Sequence, residues 1–142
     1  MSQVTLTQAA QVGDSAGVTS LLVQGSNPNE TDARGWSPLL YGVLAGDRAM
    51  VDALIRAGAD VNGAAPDGST PLIKAALWGR SELVGALLDA GADPQRRDRG
   101  GWNALDLAEA GHHAEVVRLL RSSLVHPTPL ASRSRDRAKD SL

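Results

Sequence analysis

The sequence predicts an all-α fold of stacked helical hairpins, and three observations carry that prediction. Slid against itself by 33 positions, the chain aligns Pro38-Leu39 with Pro71-Leu72 and then Ala104-Leu105, a fixed-period self-match that signals a repeat architecture. Within each period, apolar residues recur at the i, i+3, i+4 spacing of an amphipathic helix. Glycines then punctuate the pattern at constant places, Gly13, Gly46 and Gly79 in one register and Gly25, Gly58 and Gly91 in another.

Residues 1–31 read as a degenerate first repeat. Leu6, Ala9, Ala10 and Gly13-Asp14 mark a first helix and its turn, and Val18, Leu21 and Leu22 give the inner face of a second. That helix stops at Gly25, a C-cap position that calls for positive φ. Polar Thr5, Thr7, Gln8 and Gln11 fit a terminal cap whose outer face meets water. Residues 32–64 open on the turn Asp32-Ala33-Arg34-Gly35, and Ser37-Pro38 starts a helix with serine as N-cap and proline at the first helical position. Met50, Val51, Leu54 and Ile55 face inward on the second helix, which stops at Gly58, while Tyr41 reads as core on the first.

Residues 65–97 repeat the scheme with Asp67-Gly68, Thr70-Pro71-Leu72 and the inward set Leu83, Val84, Leu87 and Leu88. The small residues Gly42, Ala75 and Ala76 are expected to let first helices of adjacent repeats approach closely. Residues 98–124 match more loosely. Asn103-Ala104-Leu105 replaces Thr-Pro-Leu, His112-His113 fills the turn, and Arg121 stands where Ile55 and Leu88 stand earlier. From residue 125 to 142, VHPTPLASRSRDRAKDSL loses apolar periodicity and reads as a disordered tail.

The segment TPLIKAALWGRSELVGALLDAGAD resembles the ankyrin repeat, whose pattern runs TPLHLAA, then Gly-His, then a Val-Val/Leu-Leu helix and Gly-Ala-Asp. The resemblance covers roughly residues 4 to 124 and implies an ankyrin repeat solenoid of helix-turn-helix units joined by β-turn fingers. It places four repeats in one domain, 1–124, of which the first and last act as caps. A charged Arg121 at a site that the family keeps inward agrees with a terminal repeat.

Composition narrows the function classes. A formal charge of −2 and a pI near 5.9 give no global attraction to nucleic acid or to an anionic membrane. The absence of cysteine removes disulfides, thiolate zinc sites and cysteine nucleophiles. The N-terminus lacks a secretory signal pattern, and no apolar run nears the about 20 residues that span a bilayer. A soluble, cytoplasmic protein is expected. The basic residues are arginine except Lys74 and Lys139, a bias that fits a GC-rich, bacterial genome.

No constellation announces chemistry. His112 and His113 are adjacent, so they cannot face one way on a helix, and no third ligand lies at a recognised spacing. The resemblance gives the second histidine a bracing role in the turn. Gly100-Gly101 lacks the lysine and Ser/Thr of a phosphate loop, and no Gly-x-Ser-x-Gly elbow occurs. No cofactor, metal or catalytic residue is predicted. The other classes kept in view are an enzyme or a ligand- or metal-binding protein using the His112-His113 region, and a scaffold whose tail, with Arg133, Arg135, Arg137 and Lys139, reaches nucleic acid.

The aromatics point elsewhere. There is no phenylalanine, and leucine, valine, isoleucine and alanine suffice for the core, so three tryptophans are not needed to fill it. Trp36 and Trp102 share one register after a turn glycine, with Ser69 between them, and Leu44 shares the register of Leu77, next to Trp78. In the family these positions line the concave groove. Trp36, Trp78 and Trp102 are therefore expected as partner-binding anchors, Leu44 and Leu77 as the apolar floor, and Arg34, Asp67, Arg97 and Arg99 as the polar rim. The structural alternative is that Trp36 and Trp102 lie flat on neighbouring turns while Trp78 covers the adjacent helix. The expected function is non-catalytic binding of one folded protein by a monomer, in a more specific version as an inhibitor or immunity-type partner of an enzyme.

Overall fold

In this computed structural model, residues 4–125 are described, and they form eight helices in four consecutive hairpins with no strand among them. The hairpins pair α1 (Leu6–Gln11) with α2 (Ser15–Val23), α3 (Pro38–Ala45) with α4 (Arg48–Arg56), α5 (Pro71–Leu77) with α6 (Ser81–Asp89), and α7 (Ala104–Ala110) with α8 (Ala114–Val125). First helices stack on first helices, α1 on α3 on α5 on α7, and second helices do likewise, α2 on α4 on α6 on α8. The result is two parallel layers of helices with the core between them. Helix α8 reaches Val125, the residue at which the tail was expected to begin; the rest of that tail lies outside the described residues.

Each first helix starts on the same device. The side chains of Thr5, Ser37, Thr70 and Asn103 accept hydrogen bonds from the backbone N–H of Gln8, Leu40, Ile73 and Asp106 at 3.1, 3.3, 3.1 and 2.8 Å. Asp14 and Asp47 cap the second helices α2 and α4 through Gly17 and Met50, while α6 begins at Arg80 with no side-chain cap. The core is a ladder of equivalents: Leu6, Leu39, Leu72 and Leu105 from the first layer, and Val18, Val51, Val84 and Val117 from the second, the last of each only partly covered. Each buried leucine of this kind contributes about 2 kcal/mol of apolar transfer.

Three local expectations need correction. Thr7 is buried in the cap, because Thr5 Oγ1 lies 3.1 Å from its hydroxyl and the Glu30 carboxylate accepts its backbone N–H at 3.3 Å. Gly42 clears space for its own second helix instead of the next repeat: a Cβ there would lie 3.2 Å from Val51 Cγ2. Ile55, read as inward, is only half-buried.

Polar ties lock neighbouring repeats at two levels. In the loops that follow the second helices, Asn29 Oδ1 accepts the Asp60 N–H at 2.7 Å, and Asn62 Oδ1 accepts the Asp93 N–H at 2.8 Å. In the turns inside the hairpins, Arg80 Nη2 donates to the Leu44 carbonyl at 2.9 Å, and 33 residues on, His113 Nε2 donates to the Leu77 carbonyl at 3.1 Å. Both side chains lie across a turn glycine of the preceding repeat. A Cβ on Gly46 would stand 2.7 Å from Arg80 Nη1, and one on Gly79 2.5 Å from His113 Nδ1. At the equivalent place in the last hairpin His112 holds the left-handed conformation, φ 58°, where the others have glycine.

Candidate functional site

The site is built on the opening turns of the second, third and fourth repeats, which precede α3, α5 and α7 and are numbered as their repeats. In each turn a backbone pair closes the loop: Asp32 N–H to Trp36 O, Ala65 N–H to Ser69 O and Asp98 N–H to Trp102 O, at 2.9–3.0 Å. Asp32 and Asp98 tighten their turns further, since each Oδ1 accepts two backbone N–H groups, those of Arg34 and Trp36 in one and of Gly100 and Trp102 in the other. Asp67 does the same for Ser69 at 2.9 Å. The third and fourth turns are joined by a hydrogen bond from Arg99 N–H to Asp67 O at 2.9 Å. Between the second and third turns the equivalent donor is missing, because position 66 is proline.

Across these turns and the first helices runs an aromatic and cationic cluster. Trp36 packs on Tyr41 with ring centroids 5.1 Å apart and planes tilted by 40°. The Tyr41 hydroxyl donates to Asp32 Oδ2. Thirty-three residues after Tyr41, in the same register of the next helix, Lys74 points its ammonium at the face of Trp36, 4.8 Å from the centroid, and at Trp78, 5.7 Å away. Its side chain is only 9% exposed, and its nearest carboxylate oxygen is Asp67 Oδ2 at 3.9 Å.

Electrostatics follow from these contacts. Burial pushes the Asp32 carboxyl up, but the Tyr41 hydroxyl and the N–H groups of Trp36 and Arg34 together outweigh it and hold the group below the ordinary aspartate value. Burial and the same hydrogen bond push the Tyr41 phenol up. Asp67 is held low chiefly by the Ser69 N–H, with Lys74 assisting.

Of the residues singled out from the sequence, Leu44, Leu77 and Trp102 are exposed large apolar groups, at 42, 44 and 47%. Trp36 and Trp78 are half-buried and packed against the core, as the structural alternative had it for Trp78. The register that they were read from is not uniformly exposed, since Ser69, between Trp36 and Trp102, is buried. On the rim, Arg34 and Arg99 are exposed and outside any ion pair among the described residues. Arg97 is occupied, donating to Gly101 O at 2.8 Å and to Asp106 Oδ2 at 3.3 Å.

Sequence reasoning missed two residues. Val12, 78% exposed, caps the end of α1 in the register of Trp78 and extends the apolar strip into the first repeat. Lys74 was noted only as a rare lysine, though its i, i+4 spacing to Trp78 on one helix was a readable sign of contact. Of the histidines, His113 is committed to the Leu77 carbonyl, and His112 is exposed.

A family model described as ankyrin repeats in three copies matches residues 6–98. No curated protein matches the chain.

Proposed function

The chain belongs to the ankyrin repeat family, and on that premise we propose that it is a non-catalytic module that binds one folded protein partner through its concave face. Ankyrin repeats are in general protein-protein interaction modules. The observation that supports this use of the face is the set of exposed apolar residues on the first-helix layer of a braced scaffold, Val12, Leu44 and Leu77 at the C-terminal ends of α1, α3 and α5 and Trp102 on the turn before α7. Arg80 and His113 hold the carbonyls of the two leucines themselves, so the floor is ordered before a partner arrives and loses little entropy on binding. Exposed apolar groups that cluster in this way mark recognition surfaces.

The proposed binding unit is residues 1–124, monomeric alone and cytoplasmic, and no helix among the described residues is long and apolar enough to cross a membrane. In its finer form the proposal is that the partner is an enzyme or toxin that this chain inhibits or neutralises. In the site as proposed, Trp36 and Trp78 form the walls, Trp102, Leu44 and Leu77 the contact surface, and Arg34, Asp67, Arg97 and Arg99 the rim, with Arg97 fixed in place by Asp106.

The test uses exposed residues, so that folding is left alone. A variant carrying Leu44→Ser, Leu77→Ser and Trp102→Ala should keep its helical circular dichroism and melting temperature. It should lose the protein that the wild type captures from native lysate. A folded variant that retains every captured protein refutes the assignment of this face.

A further inference from the structure

We propose that the gap between Trp36 and Trp78 receives an acidic side chain of the partner, an aspartate or glutamate flanked by apolar residues, and that Lys74 is the group that binds it. This inference rests on the concave-face reading.

The ammonium has three donors, and the described residues offer it no acceptor within hydrogen-bonding distance. Tryptophan faces attract a cation through their quadrupoles but provide no lone pair. Asp67 stands at 3.9 Å, an ion-pair distance, and its other oxygen is engaged by the Ser69 N–H. A lysine this covered ordinarily finds a hydrogen-bond acceptor as well as an ion-pair partner, because a buried charge with donors left unused is costly. Nor is the ammonium sealed: the one enclosed side-chain nitrogen or oxygen left without a partner among the described residues is Arg80 Nε. The ammonium therefore has no hydrogen-bond acceptor among the described residues and is not fully enclosed.

The surroundings select the occupant. Arg34 and Arg99, on the turns either side of Asp67, are exposed, but Arg34 acts on Asp32 and Tyr41 and each of those turns carries its own aspartate, so it is the Lys74 ammonium between the two rings that calls for an acid. Lys74 is recessed while Leu77, three residues along the same helix, stands 44% exposed, so an acceptor has to reach down past the rim. A side-chain carboxylate does so and a main-chain carbonyl does not. Leu44, Leu77 and Trp102 then contact the apolar residues on either side of the acid.

The experiment pans a random peptide display library against the full chain and synthesises the enriched sequences as acid and amide pairs, Glu→Gln or Asp→Asn. Tryptophan fluorescence measures their affinities. Enriched peptides should carry an acid next to apolar residues, and the amide form should bind wild type about tenfold more weakly or worse. The variant Lys74→Met should weaken the acid peptide by a similar factor and should no longer distinguish acid from amide. Because the acid-amide comparison is made on wild-type protein, it holds even if Lys74→Met folds poorly. Peptides that need Leu77 and Trp102 but bind equally as acid and amide overturn the inference and leave the face assignment standing. If no peptide depends on Leu44, Leu77 or Trp102, the face assignment falls and this inference with it.

Discussion

Replacing Tyr41 by phenylalanine removes one hydroxyl from the base of the aromatic cluster and tests whether the second turn is held electrostatically. Tyr41 is buried, and its hydroxyl donates to the ionised Asp32, a hydrogen bond to a charged group that is generally worth about 1.5–3 kcal/mol. Asp32 is not orphaned by the change, because Oδ1 keeps the N–H groups of Arg34 and Trp36 at 3.0 Å. The loss should therefore sit at the lower end, about 1.5 kcal/mol, read as a lower urea midpoint with an unchanged m-value.

The pH profile of that loss follows from the two shifts. Asp32 is depressed on folding, so its share is fully present above the unfolded value of 3.8 and disappears as pH falls through the lower folded value. Tyr41 is raised, so its share is present below 10 and is lost as pH rises through the higher folded value. Wild type and Tyr41→Phe should thus differ by a constant amount between about pH 5 and 9 and converge at both extremes. A difference under about 0.5 kcal/mol, or one that persists unchanged at pH 2 and 11, refutes the bond as a stabilising element.

Two further changes probe the turn braces. Gly79→Ala places a Cβ 2.5 Å from His113 Nδ1 at a backbone of φ 67°, and should cost about 1–3 kcal/mol in urea unfolding with loss of the His113-to-Leu77 tie; a neutral effect refutes the brace. His112→Gly relaxes a left-handed non-glycine residue over which no further repeat of the described array stacks, and should raise stability by up to about 1 kcal/mol; destabilisation means that the imidazole does more than occupy the turn.

The scaffold was readable from the sequence because it is local. Ser37-Pro38 and Thr70-Pro71 start helices through bonds to residues three positions on, and glycines such as Gly25 take positive φ for reasons contained in one turn. Periodicity then repeated the answer. Side-chain fates in the site were less legible because they are decided across repeats. Trp36 is half-covered since Lys74, 38 residues later, lies on its face, and Ser69 is buried although it shares a register with the exposed Trp102. Register says which positions are equivalent along the stack, not which neighbour will lie over each. Gly42 shows the same limit: its smallness was visible, but the residue it makes room for, Val51, was not the one expected.

Proline at position 66 gives the array a mechanical grain. The third and fourth turns are stapled to each other through Arg99 and Asp67, while the second turn has no such staple to the third. Trp36 rides on the unstapled side and Lys74 and Trp78 on the other, so the missing hydrogen bond falls at the joint between the two rings. Flexing of the stack at that joint changes the width between the tryptophans, and a guest clasped by both would act as a rivet across the seam.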